Sequence, residues 1–132
     1  MSVNDLHTTP LHLGLGATAV VEPPFTGGYD WYADYAARHT DDGAEGRLVT
    51  LFSFAEPWTS WEMHPAGAEV VVCLTGAITL IQQHPDGAAT TVTLTAGHYA
   101  INPPGVWHTA DVSVPTQVLF ITAGAGTHVR ER

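Results

Sequence analysis

The chain has no lysine, a single cysteine, and no apolar run long enough to cross a membrane as a helix. Four arginines stand against thirteen acidic residues, a formal net charge of −9 over 132 residues. So few cations exclude nucleic acid and anionic membranes as partners, since binding to either rests on Lys and Arg contacts. Arg130 and Arg132 lie in the last three residues, which leaves Arg38 and Arg47 to serve any interior site. That argues against sugar phosphates and sugar nucleotides, whose phosphates are usually held by cationic side chains. The expected ligand is a small molecule that is neutral, or an anion held by a metal. Cys73 has no partner for an internal disulfide. The first ten residues, MSVNDLHTTP, lack the basic and apolar regions of a signal peptide. Both point to a reducing, cytoplasmic setting.

What is present describes one globular domain. Hydrophobic residues make up 45% of the chain and charged residues 13%, and the length suffices for one sizeable core. LHLGLGATAVV, residues 11–21, alternates large and small residues as an early strand would. EPPFTGG (22–28) is a loop, and DWYADYAARH (30–39) suits a short helix with Asp30 as N-cap and Trp31 and Tyr35 on one face. After DDGAEG (41–46) the pattern is β throughout. The segments are 47–54, 60–64, 69–75, 77–83, 90–95, 98–102, 107–114 and 117–123, separated by short turns of which HPDG (84–87) reads as a hairpin. The expected organisation is an N-terminal strand, loop and helix over 1–46, a β core over 47–123 and a tail over 124–132. Pattern alone therefore predicts an all-β sandwich or barrel.

The chemistry gathers in two stretches. In WEMHPAGAEVVVCLTG (61–76), Glu62 and His64 are two apart and share a strand face, while Glu69 opens the next strand after a turn. Acidic and imidazole groups against Val70, Val71 and Val72 are costly to bury unless something compensates them. In GHYAINPPGVWH (97–108), Pro103, Pro104 and Gly105 turn the chain sharply just before His108. Two imidazoles and two carboxylates are thus able to converge from two hairpins. Carboxylate and imidazole donors together suit Fe, Mn, Ni, Co or Zn as a divalent ion better than soft Cu(I).

These stretches resemble the two motifs of the cupin superfamily, G-x5-H-x-H-x3-4-E-x6-G and G-x5-P-x-G-x2-H-x3-N. The chain has E62-x-H64-x4-E69-x6-G76 and then G97-x5-P103-x-G105-x2-H108. Three departures stand out: Glu56 occupies the leading Gly position, Glu62 the first His, and Val112 the closing Asn. The resemblance implies a single-domain jelly-roll β-barrel, a short N-terminal helix preceding it, with His64, Glu69 and His108 as ligands to one divalent metal per chain. Glu62 is not a family identity, and chemistry leaves it two roles. It is either a fourth ligand, giving a formally neutral and weakly Lewis-acidic centre, or a free catalytic base beside a facial triad.

The resemblance further implies a metal-dependent enzyme of dioxygenase or isomerase type, or alternatively a non-catalytic module that binds or senses a small ligand. It also implies a homodimer, with 11–21 as the segment exchanged. Phe52, Phe54, Cys73 and Trp107 are the candidate substrate-wall residues. For Cys73 and the aromatics, core packing is the commoner role. His7, His12, His39 and His128 lie near ends or loops and are expected at the surface, and His84 and His98 in turns. Gly76, Gly97 and Gly105 are read as turn residues.

Overall fold

A computed structural model describes residues 1–132. Eleven strands appear in chain order: β1 (Leu11–Gly14), β2 (Thr18–Val21), β3 (Arg47–Phe54), β4 (Ser60–Met63), β5 (Glu69–Thr75), β6 (Ala77–Gln83), β7 (Ala89–Thr95), β8 (Tyr99–Asn102), β9 (Trp107–Asp111), β10 (Thr116–Thr122) and β11 (His128–Glu131). One helix, α1 (Gly28–Arg38), precedes β3. The strands form two antiparallel sheets, six-stranded β2-β1-β3-β10-β5-β8 and five-stranded β11-β4-β9-β6-β7. Between them lies a core of Val71, Cys73, Val118 and Phe120 from one sheet and Ile78, Leu80, Leu94, Ala110 and Val112 from the other side. This is the jelly-roll class expected from the sequence.

The period-two alternation decides which side chains reach that core. On β5, Glu69, Val71 and Cys73 are buried while Val70 and Val72 are only half-buried. Glycines set the corners. Gly76, at φ +81, joins β5 to β6 where an added Cβ would stand 2.4 Å from the Pro115 carbonyl oxygen. Gly105, at φ +76, closes the Pro103–Pro104 corner, and its N–H donates to the His64 carbonyl at 3.1 Å. That bond ties the corner before β9 to the end of β4.

Several local expectations differ from the structure. Residues 11–21 are a hairpin broken by a short 3-10 turn at Leu15–Ala17, so β1 pairs with both β2 and β3 of its own chain. The helix begins two residues early, entered through Gly27 and Gly28, both at positive φ. Asp30 therefore falls in the first turn, where it complements the helix dipole without capping. Trp31 and Tyr35 do share a face, with rings parallel at 5.8 Å. The C-terminal segment carries β11, which pairs with β4.

His12 is the largest correction to the residues expected at the surface. It is 1% exposed, because its strand neighbour across β3 is core-facing Leu48 and α1 packs over it. Its two ring nitrogens lie 2.6 Å from the Tyr35 hydroxyl and 2.6 Å from an Asp42 carboxylate oxygen. Its ring stacks on His39 at 3.6 Å, and His39 in turn meets Glu22 at 2.8 Å, beside Arg38. In this knot both ring nitrogens of His12 are partnered, and one donor atom each of His12, His39 and Asp42 lies within 4.8 Å of the others. It pins α1 to the sheet.

Candidate metal centre

The structure brings Glu62, His64, Glu69 and His108 together inside the barrel. Glu62 on β4 and His108 on β9 are direct cross-strand partners, His64 follows β4 on the same face, and Glu69 enters from β5 in the opposing sheet. The Nε2 atom of His64 is 3.1 Å from Glu69 Oε2 and 3.8 Å from Glu62 Oε2. The Nε2 atom of His108 is 3.3 Å from Glu69 Oε1 and 3.9 Å from Glu62 Oε2. Ligands bound at about 2.0–2.2 Å around one ion stand roughly 3–4 Å from one another. His64, Glu69 and His108 are buried, and Glu62 is about a third exposed, with a side-chain exposure of 35%.

Glu62, His64 and His108 offer donor atoms that all lie within 4.8 Å of one another, and Glu69 stands against both imidazoles. Thr127 donates its hydroxyl proton to the Gly124 carbonyl at 2.8 Å. It can therefore only accept from His64 Nδ1, 2.8 Å away. The Nδ1 of His108 faces the Val106 carbonyl at 3.4 Å, again an acceptor only. Both Nδ1 atoms carry the proton, and both Nε2 atoms are turned inward, buried and without a hydrogen-bond partner. Their nearest neighbours are carboxylate oxygens, also lone-pair bearers. Only a shared proton or a cation reconciles such an arrangement. The donor set, two imidazoles and two carboxylates, fits a divalent transition metal.

Glu69 is held from behind. Asn102 donates through Nδ2 to Glu69 Oε1 at 3.0 Å, and Thr122 donates to Oε2 at 2.7 Å. Asn102 is oriented by Gln82, whose amide nitrogen reaches both the Ile101 carbonyl and Asn102 Oδ1 at 2.9 Å. Because the Ile101 oxygen accepts only, Gln82 must present its nitrogen there, and Asn102 must then present its own nitrogen to Glu69. Outer partners of this kind fix ligand orientation.

Electrostatics separate the two carboxylates. Burial alone would push the Glu69 carboxyl up, but the His108 and His64 rings against it outweigh burial and hold it well below the carboxylate range. Glu62 moves the other way: burial, then repulsion from Glu69, raise it, with the two imidazoles pulling back. Burial opposes charge on His64, yet Glu69 and then Glu62 raise its pKa above the ordinary value of 6.5. Tyr32 on α1 feels the same field. Its phenol is pushed up to about 12 by burial and by the charges of Glu62 and Glu69.

The candidate wall residues divide. Phe52 and Phe54 face inward and join Phe120 and Trp58 in an aromatic layer, with ring separations of 5.6–6.3 Å. Trp58 meets His108 edge-on at 6.4 Å, and Phe25 links Phe52 to Tyr32. Cys73 is wholly buried among core aliphatics and burial raises its thiol pKa. Trp107 is not brought to the site. It neighbours inward His108 on β9, so alternation sends it outward, under the Arg130 guanidinium at 4.3 Å.

Sequence reasoning missed Tyr32, Asn102, Thr122 and Thr127 as neighbours of the site. Asn102 alone left a signal, as an amide in an otherwise apolar strand segment, YAIN.

No protein-family model matches the sequence, and no curated protein matches it. Solved structures share its architecture at low identity. Oxalate decarboxylase from Bacillus subtilis aligns with a TM-score of 0.54 at 20% identity, over 64% of this chain and 23% of that one. A hydroquinone 1,2-dioxygenase in complex with Cd2+ and 4-hydroxybenzonitrile aligns at 0.51 and 17%, over 58% and 56%. The coconut allergen cocosin aligns at 0.51 and 16%, over 65% and 22%. The chain thus spans little more than half of the dioxygenase chain and about a quarter of the other two. It has the fold of the cupin superfamily, which its two motifs implied.

Proposed function

We propose that the protein is a small metal-dependent enzyme of dioxygenase-like or isomerase-like type, acting on a small neutral or chelating organic molecule. The observation that carries this is the pair of buried, unpartnered Nε2 atoms of His64 and His108 turned toward two carboxylates. His64, Glu69 and His108 hold the ion, and Glu62 either completes the set or stands beside it. A divalent metal bound there would supply Lewis acidity toward a chelating diol, enol or keto acid. Support for the reaction class comes from proteins of the same fold, among them a decarboxylase and a dioxygenase. The allergen with that fold shows why fold alone does not carry the assignment.

The chain's own residues supply the rest. In the role of base, Glu62, more accessible than Glu69 and raised above its ordinary value, accepts a proton from a bound substrate hydroxyl. Tyr32 keeps its proton throughout the neutral range and is a hydrogen-bond donor. The Trp58 Nε1–H is buried without a partner beside His108 and is available to a substrate oxygen. Phe52 and Phe54 give that substrate an apolar wall and exclude water.

Oxygen uptake by the iron-loaded protein across catechols and diketones tests the assignment. Turnover of one substrate class supports it, and tight binding without turnover of any of them indicates a binding module instead. Trp58→Phe, which removes the indole donor and keeps an aromatic ring, should raise KM several-fold with metal content unchanged. Steady-state kinetics with parallel elemental analysis check this.

Glu62→Gln separates the two roles left open for that residue. Its raised pKa means that ionised Glu62 costs the metal-free protein stability above the ordinary carboxyl value of 4.5. The amide should therefore raise the metal-free melting temperature at neutral pH. Loss of metal in the same variant makes Glu62 a ligand, whereas retained metal with lost turnover makes it the base.

A further inference from the structure

We infer that the outer face of the five-stranded sheet carries a binding site, built on Arg130, for the carboxylate group of a small organic acid. Alternation shows where Arg130 lies. Glu62 points inward, so its neighbour Trp61 points outward, and the register sets Arg130 of β11 directly opposite Trp61. On β9 the inward residue is His108, so Trp107 stands on the same outer face, with Gln83 of β6 as its cross-strand partner. The Arg130 guanidinium spans this row. Its centre is 5.2 Å from the Trp61 ring and 4.3 Å from the Trp107 ring, and a terminal nitrogen donates to the Gln83 side-chain oxygen. Two indoles and an amide thus hold a long side chain that is usually free on a surface. Its ordering is complete before a ligand arrives, which lowers the cost of binding.

What the row lacks is a counter-charge. Arg38 pairs with Glu22 and Arg132 with Asp111, whereas no carboxylate pairs with Arg130 in a chain that has thirteen acidic residues. Glu131, next along β11, lies opposite Ser60 and is turned to the other side of the sheet by alternation. Asp86, in the turn after β6, accepts from the Ala88 N–H at 2.9 Å. A guanidinium has five N–H donors, and Gln83 takes one. Beside it opens a cavity of about 370 Å3 whose walls include Arg130, Trp107, Gln83, His84, Pro85 and Gly105, with no acidic side chain among them. Pockets for small molecules run from about 300 to 1,000 Å3. A planar guanidinium held in one orientation matches a carboxylate through two parallel N–H···O bonds. A single cation in a chain of net charge −9 suits one negative charge and disfavours a dianion such as phosphate. The site lies across the sheet from the inward Nε2 of His108, so it is separate from the metal centre.

Nuclear magnetic resonance of the full chain with Zn2+, titrated with sodium benzoate at constant ionic strength, tests this. The readout is the four indole N–H signals, assigned with Trp58→Phe, Trp61→Phe and Trp107→Phe. The Trp61 and Trp107 signals should shift together and saturate, with a dissociation constant on the order of 1 mM, as one partly exposed charge pair allows. Benzyl alcohol, which lacks the charge, should leave both unmoved. Arg130→Gln should weaken benzoate about tenfold or more, and Arg130→Lys several-fold, because an ammonium has no planar fork. Arg132→Gln is the charge control and should bind as wild type does, since Asp111 already holds that guanidinium. The same spectra confirm that each variant folds. Four results overturn the inference: no saturation by about 50 mM, movement of Trp58 alone, which places benzoate at the metal, unchanged affinity in Arg130→Gln, or an equal loss in Arg132→Gln. Phosphate binding more tightly than benzoate overturns the choice of carboxylate.

Discussion

His108→Ala should lower divalent-metal affinity by more than about a hundredfold, beyond the loss expected from removing an outer-shell partner. The expectation follows from how completely this side chain is committed. Its ring has no exposed surface, its Nδ1 faces the Val106 carbonyl, and its Nε2 has only Glu69 and Glu62 before it. Alanine removes that donor and leaves a cavity no other donor can fill, since the inward residues that follow His108 are Ala110 and Val112. Folding should survive, because the lost imidazole is replaced by space and both carboxylates still face His64. Isothermal titration with Mn2+ or Zn2+, alongside thermal melts, reads both effects. Unaltered affinity in a folded variant would remove His108 from the site.

Glu69→Ala should destabilise the metal-free protein by about 3–5 kcal/mol, the usual cost of removing one member of a buried charge network. Four groups lose their partner at once. The Asn102 amide and Thr122 hydroxyl lose their acceptor, and His64 and His108 lose the carboxylate that faces their Nε2 atoms. In a domain of this size that is a melting temperature roughly 10–20 °C lower.

The pH dependence carries a signature. Glu69 is depressed below its ordinary 4.5, so its contribution is present above that value and is lost as pH falls below it. His64 is raised above its ordinary 6.5, so its contribution is present below 6.5 and is lost as pH rises through its folded value. The pair therefore stabilises the metal-free wild type most between about 4.5 and 6.5. In Glu69→Ala that maximum should disappear, and the two proteins should converge in acid. Urea denaturation across pH measures it. Metal affinity follows the same logic, strengthening as pH rises through neutrality because the ion displaces the His64 proton.

Much of this was legible in the chain, and the limits have physical causes. Alternation in RLVTLFSF and EVVVCLT located β3 and β5, since a period of two needs only neighbouring residues. The turn prolines and glycines located the corners that bring Glu69 and His108 together. Partner strands are a different matter. Nothing local in LHLGLG says that β1 turns back after four residues, or that His12 will lie under Tyr35 and Asp42. Nothing local in Trp107 says which face of β9 is inner until His108 is assigned. Thr122 and Thr127 support Glu69 and His64 from 53 and 63 residues away, and a threonine in a β segment is too common to stand out. The pairing of β11 with β4 likewise rests on long-range register and not on its own composition.

The most direct test is the metal content and chelator response of the purified wild-type protein. One divalent transition ion per chain is expected. Metal at about a thousand times its dissociation constant adds about 4 kcal/mol of stability, so a strong chelator should lower the melting temperature by roughly 10–15 °C. A protein with no stoichiometric metal after loading, and a melting temperature that the chelator leaves unchanged, would contradict the account.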